Sequence, residues 1–186
     1  MPYQPQHREQ VRERIIQSAR RLFMDRGFIA VSIDDVMASA GLTRGSFYSY
    51  FQSKSDLYSE MIDRFVNEIR ASADFALQSR DRASRILREH LSVDENKGEF
   101  NCPLTGLYSD LSRVDQTVKA AFESALKLMI DTFEQGVTPA TQPARRRAMA
   151  LVSLCVGGRI LADWIQDRSL ADELQDATKI MADTLL

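Results

Sequence analysis

The sequence predicts an all-α protein of about nine helices, arranged as a small N-terminal head and a larger body. Proline and glycine are scarce, at five and eight of 186 residues. Apolar residues recur at the three- and four-residue spacing of a helix face, and no window shows the sustained alternation of a strand. Hydrophobic residues make up 44% of the chain, which allows a core without disulfides or metals.

The two ends of the chain differ in charge. Residues 1–54 carry eight Lys and Arg against five Asp and Glu, a net charge of +3, which leaves −5 for the rest of a chain whose net charge is −2. A mildly basic head is compatible with a nucleic-acid contact confined to one end. The net charge of the whole chain excludes a protein that coats nucleic acid through a generally basic surface.

Cysteine usage and hydropathy narrow the class further. Cys102 and Cys155 are too few and too far apart for a disulfide framework or a zinc site. The N-terminus lacks the pattern of a signal peptide, and no apolar run approaches the roughly 18 residues of a membrane span. We therefore expect a cytoplasmic protein without membrane contact, cofactor or metal.

The helices can be placed in chain order. The first carries an apolar stripe and ends at Gly27, which suits a C-terminal cap; the stripe is Val11, Ile15, Ala19, Leu22 and Phe23. Ser32 begins the second helix by capping its first turn, with Asp35 at the positive helix end. Ser53 and Asp56 begin a long fourth helix in the same way. Further helices are predicted at 82–92, 104–111, 115–136, 144–167 and 170–185. We expect a head of residues 1–52 and a body of residues 53–186.

Residues 32–51 are typical of a helix-turn-helix. A corner at Gly41 separates the second helix from a third, which Thr43 can cap and which runs to about Tyr50. Phe47 lies four residues before Phe51, so both are expected to anchor this helix in the core. Polar groups suited to phosphates or base edges are left facing outward; they belong to Thr43, Arg44, Ser46 and Tyr48.

From about Arg14 to Ile62 the chain resembles the TetR family of transcriptional regulators. The matching residues are Ile15, Ala19, Leu22 and Phe23, then Gly27-Phe28, Ser32-Ile33-Asp34-Asp35-Val36, Ala40-Gly41-Leu42, Gly45-Ser46-Phe47-Tyr48, Tyr50-Phe51 and Lys54-Ser55-Asp56-Leu57. Beyond residue 62 the resemblance lies mainly in the order and length of the helices.

The resemblance implies a homodimer that binds a near-palindromic operator in double-stranded DNA, usually as a repressor. The implied DNA-binding residues are Ser32, Thr43, Arg44, Ser46, Tyr48, Tyr50 and Lys54. Lys54 would bind phosphate together with the amides at the start of the fourth helix. For Ser32 and Thr43, a role as a helix cap alone stays open.

The last two helices are the implied dimer interface. Its candidate residues are Leu151, Leu154, Gly158, Leu161, Ile165, Leu174, Ile180 and Met181. Gly157 and Gly158 lower helix stability, and a close approach of two helices would explain them. The alternative is that these helices form the core of a monomer.

Apolar and aromatic residues of the body are candidates for an effector pocket. They are Phe65, Ile69, Phe75, Phe100, Cys102, Leu104, Leu107, Tyr108, Leu111, Phe122, Leu126, Met129, Phe133 and Trp164. Such a lining would suit a small hydrophobic or aromatic effector. The same residues are also what any helical core contains.

Cys102 supports an alternative mode of sensing. Pro103 suits a first helical position, which puts the thiol near a positive helix end and favours the thiolate. A regulator that senses electrophiles or oxidants through Cys102 is therefore the alternative, against a buried structural thiol. Cys155 is expected to be inert.

Two other classes are remote alternatives. An enzyme is disfavoured because His7 and His90 lack a metal-binding spacing or an accompanying nucleophile motif. A relative that binds a protein partner and has lost DNA binding is disfavoured because the outward-facing residues of the third helix are polar and basic.

Overall fold

The computed structural model describes residues 5–71, 79–91, 104, 110, 112–137 and 143–186, with the backbone alone at 5, 89 and 90. These ranges contain eight helices and no strand: α1 (Pro5–Arg26), α2 (Ile33–Ser39), α3 (Arg44–Phe47), α4 (Lys54–Ala71), α5 (Ser79–Leu91), α6 (Gln116–Gly136), α7 (Ala144–Trp164) and α8 (Arg168–Leu185). The all-α class is confirmed. The helix predicted at 104–111 lies outside the described residues, apart from Leu104 and Asp110.

Contacts divide the chain into two compact units. The first is Met1–Phe65 with Gly106–Ser124, and the second is Val66–Thr105 with Ala125–Leu186. Along the chain, α4 and α6 each pass from the first unit into the second. The boundary expected at residue 52 separates a DNA-binding head from a sensing and dimerising body, which is a division by function and not by contacts. It stays a prediction.

Two glycines with left-handed backbone end the first two helices. Gly27 has φ +80° and its amide donates to the Phe23 carbonyl at 3.0 Å. Gly41 has φ +67°, and the following amide, of Leu42, donates to the Met37 carbonyl at 2.8 Å. This bonding satisfies carbonyls at the helix ends and turns the chain sharply, because glycine alone adopts positive φ without strain.

Aromatic packing joins α1, the loop after it and α4 in the first unit. The rings of Phe23 and Phe28 have centroids 5.4 Å apart, and Tyr58 lies 5.8 and 5.4 Å from them. All three side chains are buried. This cluster fixes the first turns of α4 against α1 and the loop after it.

In the second unit, α7 packs closely against α8, and α5 contacts both. A Cβ added at Gly158 would lie 2.7 Å from Cγ2 of Thr178, whereas one at Gly157 would meet nothing within 4 Å. The close approach predicted from the glycine pair is confirmed for Gly158. Within the described ranges, no helix combines the length and apolar character needed to cross a bilayer.

Two predicted helix ends are wrong. The third helix stops at Phe47, and the chain continues in tighter turns in which the amides of Ser49 and Tyr50 bond to carbonyls three residues back. The helix predicted at 144–167, which is α7, stops at Trp164. Asp167 caps the next helix through the amides of Ser169 and Leu170. An Asp at this position satisfies amides that the first helical turn leaves unpaired.

Candidate DNA-binding surface

The start of α2 is fixed by Ser32 and Asp35. The Ser32 hydroxyl accepts from the Asp35 amide at 3.1 Å, and the Asp35 carboxylate accepts from the Ser32 amide at 2.8 Å and from its hydroxyl at 2.5 Å. The hydroxyl and then the amide of Ser32 hold the pKa of Asp35 below its ordinary value. The predicted cap is therefore confirmed, and the Ser32 hydroxyl is already engaged within the protein.

The segment 44–51 presents an apolar face to the core and a polar face to solvent. Phe47 and Phe51 are buried with ring centroids 5.7 Å apart, which confirms that they anchor the segment. Between them, Tyr48 is 60% exposed, and its ring stands edge-on to Phe47 at 5.3 Å. The phenol is thus held on a rigid support and is open to a partner.

Thr43 precedes α3 but does not cap it through its side chain, which corrects the prediction. Instead the hydroxyl of Ser46 donates to the carbonyl of Thr43 at 2.7 Å. This hydrogen bond and partial burial occupy Ser46, while the Thr43 side chain stays exposed. Of the two hydroxyls, that of Thr43 is the more accessible to DNA.

Arg44 begins α3 and pairs with an acid of α2. Its Nη1 lies 2.6 Å from Oδ2 of Asp34, and both side chains are more than half exposed. An exposed pair of this kind contributes little to stability, because water competes for both charges. The guanidinium can therefore exchange Asp34 for a phosphate or a base edge.

Lys54 lies at the start of α4, and its ammonium group turns into the loop after α1. Nζ donates to the carbonyls of Phe28 at 2.7 Å and Val31 at 2.9 Å, and it lies 4.4 Å from the centre of the Phe28 ring. Burial lowers the pKa of Lys54, and the charge of Asp110 partly opposes that shift. The amine predicted to bind phosphate is thus already bonded within the head.

The backbone amides at the start of α4 offer a candidate phosphate contact that does not depend on the Lys54 ammonium. The Ser53 hydroxyl accepts from the Asp56 amide at 3.0 Å, and the Asp56 carboxylate accepts from the Gln52 amide at 2.9 Å. The predicted Ser53 cap is thus present, while the Asp56 carboxylate bonds to the residue before Ser53. The amides of Lys54 and Ser55 lie at the positive end of an 18-residue helix. Such amides suit a phosphate oxygen even while the lysine ammonium stays in place.

The carboxylate of Asp110, which lies much later in the sequence, supports the loop between α1 and α2. The amide of Ile29 donates to Oδ2 of Asp110 at 2.9 Å, and a Cβ added at Gly27 would lie 2.9 Å from that oxygen. A second acid, Asp115, bonds to the start of α4, where the Ser55 hydroxyl donates to its Oδ2 at 2.5 Å. Neither acid was among the predicted site residues.

Two arginines of α1 reach the C-terminal end of the segment 44–51. Arg8 donates to the Ser49 carbonyl at 3.0 Å, and Arg12 donates to the Tyr50 carbonyl at 2.7 Å. The predicted site residues include neither arginine. In the sequence they are marked by their four-residue spacing, which puts them on one helix face, and by the basic charge of the head, to which they contribute.

The predicted pocket residues fall in several places. Phe65, Leu104, Met129 and Phe133 are buried, whereas Trp164 is 66% exposed at the end of α7. The partly buried members are Ile69, Phe122 and Leu126. Those outside the described residues are Phe75, Phe100, Cys102, Leu107, Tyr108 and Leu111. Membership of a pocket stays a prediction for all of them.

The predicted dimer residues divide by exposure. Leu151 and Gly158 are buried within their own unit. Leu161, Ile180 and Met181 are exposed. The remaining three are partly buried, and they are Leu154, Ile165 and Leu174. The exposed apolar side chains are those available to a partner.

Known proteins resemble this chain most specifically over the head. The pattern of bacterial regulatory proteins of the tetR family matches residues 15–61. The transcriptional regulator EthR of Mycobacterium tuberculosis is 40% identical over 65 residues, which cover 35% of this chain and 28% of EthR. The transcriptional repressor DhaR of Mycobacterium sp. (strain GP1) is 22% identical over 134 residues, covering 71% of this chain and 64% of DhaR.

The fold extends the likeness over nearly the whole chain. A crystal structure of a TetR transcriptional regulator from Legionella pneumophila superposes with a TM-score of 0.76 at 20% identity, covering 94% of this chain and 96% of that one. The helix-turn-helix of residues 32–51, the family pattern and the matching helical fold agree with one another. Residues 15–61 therefore carry the pattern of the TetR family of bacterial regulatory proteins, and the chain has the fold of a TetR transcriptional regulator.

Proposed function

We propose that this chain is a transcriptional regulator that binds a specific operator in double-stranded DNA. The observation that carries the proposal is the segment 44–51, in which buried Phe47 and Phe51 hold Tyr48 exposed beside Arg44. A short, firmly anchored helix with outward polar groups suits insertion in the major groove. Amides at the start of α4 would add a phosphate contact that fixes the register.

A homodimer is part of the proposal. Large apolar side chains are exposed on α7 and α8, among them Trp164 and Ile180, which is 65% exposed. Their burial against a second copy would place two heads on one DNA duplex. Because a single head buries little surface, two heads are needed for tight and specific binding.

Repression relieved by a small effector is the regulatory mode we propose. DhaR, which aligns with most of this chain, is a transcriptional repressor. The buried candidates Phe65, Met129 and Phe133 are apolar or aromatic, which favours a hydrophobic or aromatic effector. Such a ligand would bind more tightly to a dimer whose heads are misplaced for the operator. The difference between its binding free energies for the two dimer conformations would set how far operator affinity falls.

Selection of duplexes from a random DNA pool by the purified protein tests the proposal. We expect enrichment of an inverted repeat whose half-sites are one or two helical turns apart. Sedimentation should show a dimer, and Ile180→Asp should shift it toward monomer and weaken binding to the selected duplex. Recovery of the pool without enrichment would contradict the proposal.

A further inference from the structure

Arg12 joins three parts of the head through one guanidinium group. Its Nη1 donates to the Tyr50 carbonyl at 2.7 Å, and its Nε donates to Oε1 of Glu60 on α4 at 2.7 Å. Its Nη2 forms a second, short bond to the other oxygen of Glu60. The guanidinium also lies 4.6 Å from the centre of the buried Phe51 ring. The planar, multiply donating shape of arginine is what allows all these contacts at once.

Glu60 is shared with a second arginine of α4. Arg64 bonds to Oε1 of Glu60 at 3.2 Å and also pairs with Glu9 and Glu13 on α1. Burial opposes ionisation of Glu60, but the bonds and charges of Arg12 and then Arg64 outweigh it and lower its pKa. The carboxylate therefore stays charged near neutral pH and holds Arg12 in a fixed orientation.

The carbonyl of Tyr50 is at the end of the segment that carries Tyr48. Carbonyls at the C-terminal end of a helical segment carry partial negative charge, and a nearby cation stabilises them. Arg8 makes a similar bond one residue earlier, at the Ser49 carbonyl. Phe47 and Phe51 fix the apolar face of the segment, and the two arginines fix its end.

We propose that Arg12, oriented by Glu60, is a positioning residue that holds the segment 44–51 at the angle required for operator recognition. This inference rests on the proposed function, and it assigns Arg12 no contact with DNA. Its donors are directed to Glu60 and Tyr50, and its side chain is 27% exposed. A displacement of Glu60 on α4 would thus move Arg12 and, through the Tyr50 carbonyl, change the orientation of Tyr48.

Two conservative variants test the proposal without a cavity. Arg12→Lys keeps the positive charge but cannot bond to both oxygens of Glu60 and to Tyr50. Glu60→Gln keeps the shape but removes the charge that orients Arg12. The matched control is Asp63→Asn, which removes one acid from the exposed face of the same helix. Circular dichroism confirms that each variant is folded.

The first measurement is binding to the duplex selected by the wild-type protein and to a scrambled duplex, over a range of salt concentrations. We expect Arg12→Lys and Glu60→Gln to weaken binding to the selected duplex roughly tenfold. Neither variant should bind the scrambled duplex more weakly than the wild type, and the salt dependence of Arg12→Lys should not change, because no phosphate contact is lost. Asp63→Asn, which also removes one negative charge, should bind neither duplex more weakly than the wild type.

Glu60→Gln separates positioning from simple electrostatics. Loss of a negative charge from a DNA-binding head should by itself strengthen binding to any duplex. A weaker interaction with the selected duplex alone therefore supports the proposal. Equal weakening on both duplexes with a smaller salt dependence in Arg12→Lys would make Arg12 a phosphate ligand and overturn it. Wild-type affinity in both variants would also overturn it.

Hydrogen exchange of the DNA-free protein gives a readout that does not need an operator. We expect faster exchange of the amides of residues 48–51 in Arg12→Lys and Glu60→Gln, and wild-type exchange in Asp63→Asn. Unchanged exchange in both variants would overturn the positioning role even if the wild type selects an operator. Faster exchange in a protein that selects no operator would leave the contact standing and reject the proposed function.

Discussion

The ammonium group of Lys54 lies 2.7 Å from the carbonyl oxygen of Phe28 and 4.4 Å from the centre of the Phe28 ring. The same ammonium reaches the Val31 carbonyl at 2.9 Å. One side chain at the start of α4 thus satisfies two carbonyls of the loop between α1 and α2. This relationship makes Lys54 a structural part of the head, whatever it contributes to DNA binding.

Replacement of Lys54 should therefore destabilise the DNA-free protein. We expect Lys54→Met to lower the free energy of unfolding by about 1–3 kcal/mol, because two hydrogen bonds to a charged donor and a cation–π contact are lost. The measurement is urea unfolding followed by circular dichroism. Lys119→Met, at an exposed lysine of α6, is the control and should change stability by less than about 0.5 kcal/mol. Equal stability of the two variants would contradict this assignment.

Asp34 should restrain Arg44 in the absence of DNA. Asp34→Asn removes the carboxylate 2.6 Å from the guanidinium, so we expect binding to the selected duplex to strengthen by roughly two- to fivefold. Asp25→Asn is the control, because it removes an exposed acid that pairs with Arg26 instead. Weaker binding by Asp34→Asn in a fluorescence titration would show that Asp34 positions Arg44.

The Glu60 network predicts a dependence of stability on pH. Because the pKa of Glu60 is lowered from 4.5 in the folded chain, its contribution is present above about pH 4.5 and is lost as the pH falls through the folded-state value. We expect Glu60→Gln to be less stable than the wild type by about 1 kcal/mol at pH 7, since water partly screens the pair. That difference should shrink toward pH 3.5 in chemical unfolding at both pH values. A constant difference would show that the charge of Glu60 does not stabilise the fold.

The contact of Gly158 with Thr178 predicts opposite effects for two adjacent glycines. Gly158→Ala would put a Cβ 2.7 Å from the Thr178 methyl, so we expect a loss of about 1–3 kcal/mol. Gly157→Ala enters open space and should stabilise the helix by up to about 1 kcal/mol. Thermal unfolding measures both, and Thr178→Ser should restore part of the stability of Gly158→Ala. Equal effects of the two alanines would contradict the close approach of α7 and α8.

Local chemistry made much of the head predictable. The cap of Ser32 with Asp35 and the anchoring of Phe47 with Phe51 depend on residues three or four apart, whose geometry a helix determines. The glycine ends of α1 and α2 follow from the need for positive φ. These features are confirmed because each is set by neighbours in the chain.

Long-range partners were not predictable in the same way. Arg12 bonds to Tyr50 and Glu60, which are 38 and 48 residues away, and a helix pattern does not show which carbonyl a side chain will reach. Lys54 was predicted to bind phosphate, but the packing of its loop determines where the ammonium lies. The pocket and dimer assignments depend on contacts of the body or of a second copy, so they stay predictions.

The proposed function requires that the face around Tyr48 recognise a specific DNA sequence. The most direct test is the ratio of dissociation constants for the scrambled and selected duplexes, measured at one salt concentration for the wild type and Tyr48→Ala. We predict a ratio of at least about 10³ for the wild type, and a ratio at least roughly tenfold smaller for Tyr48→Ala with unchanged stability. A wild-type ratio near one, or one that Tyr48→Ala leaves unchanged, would rule out sequence recognition by this face.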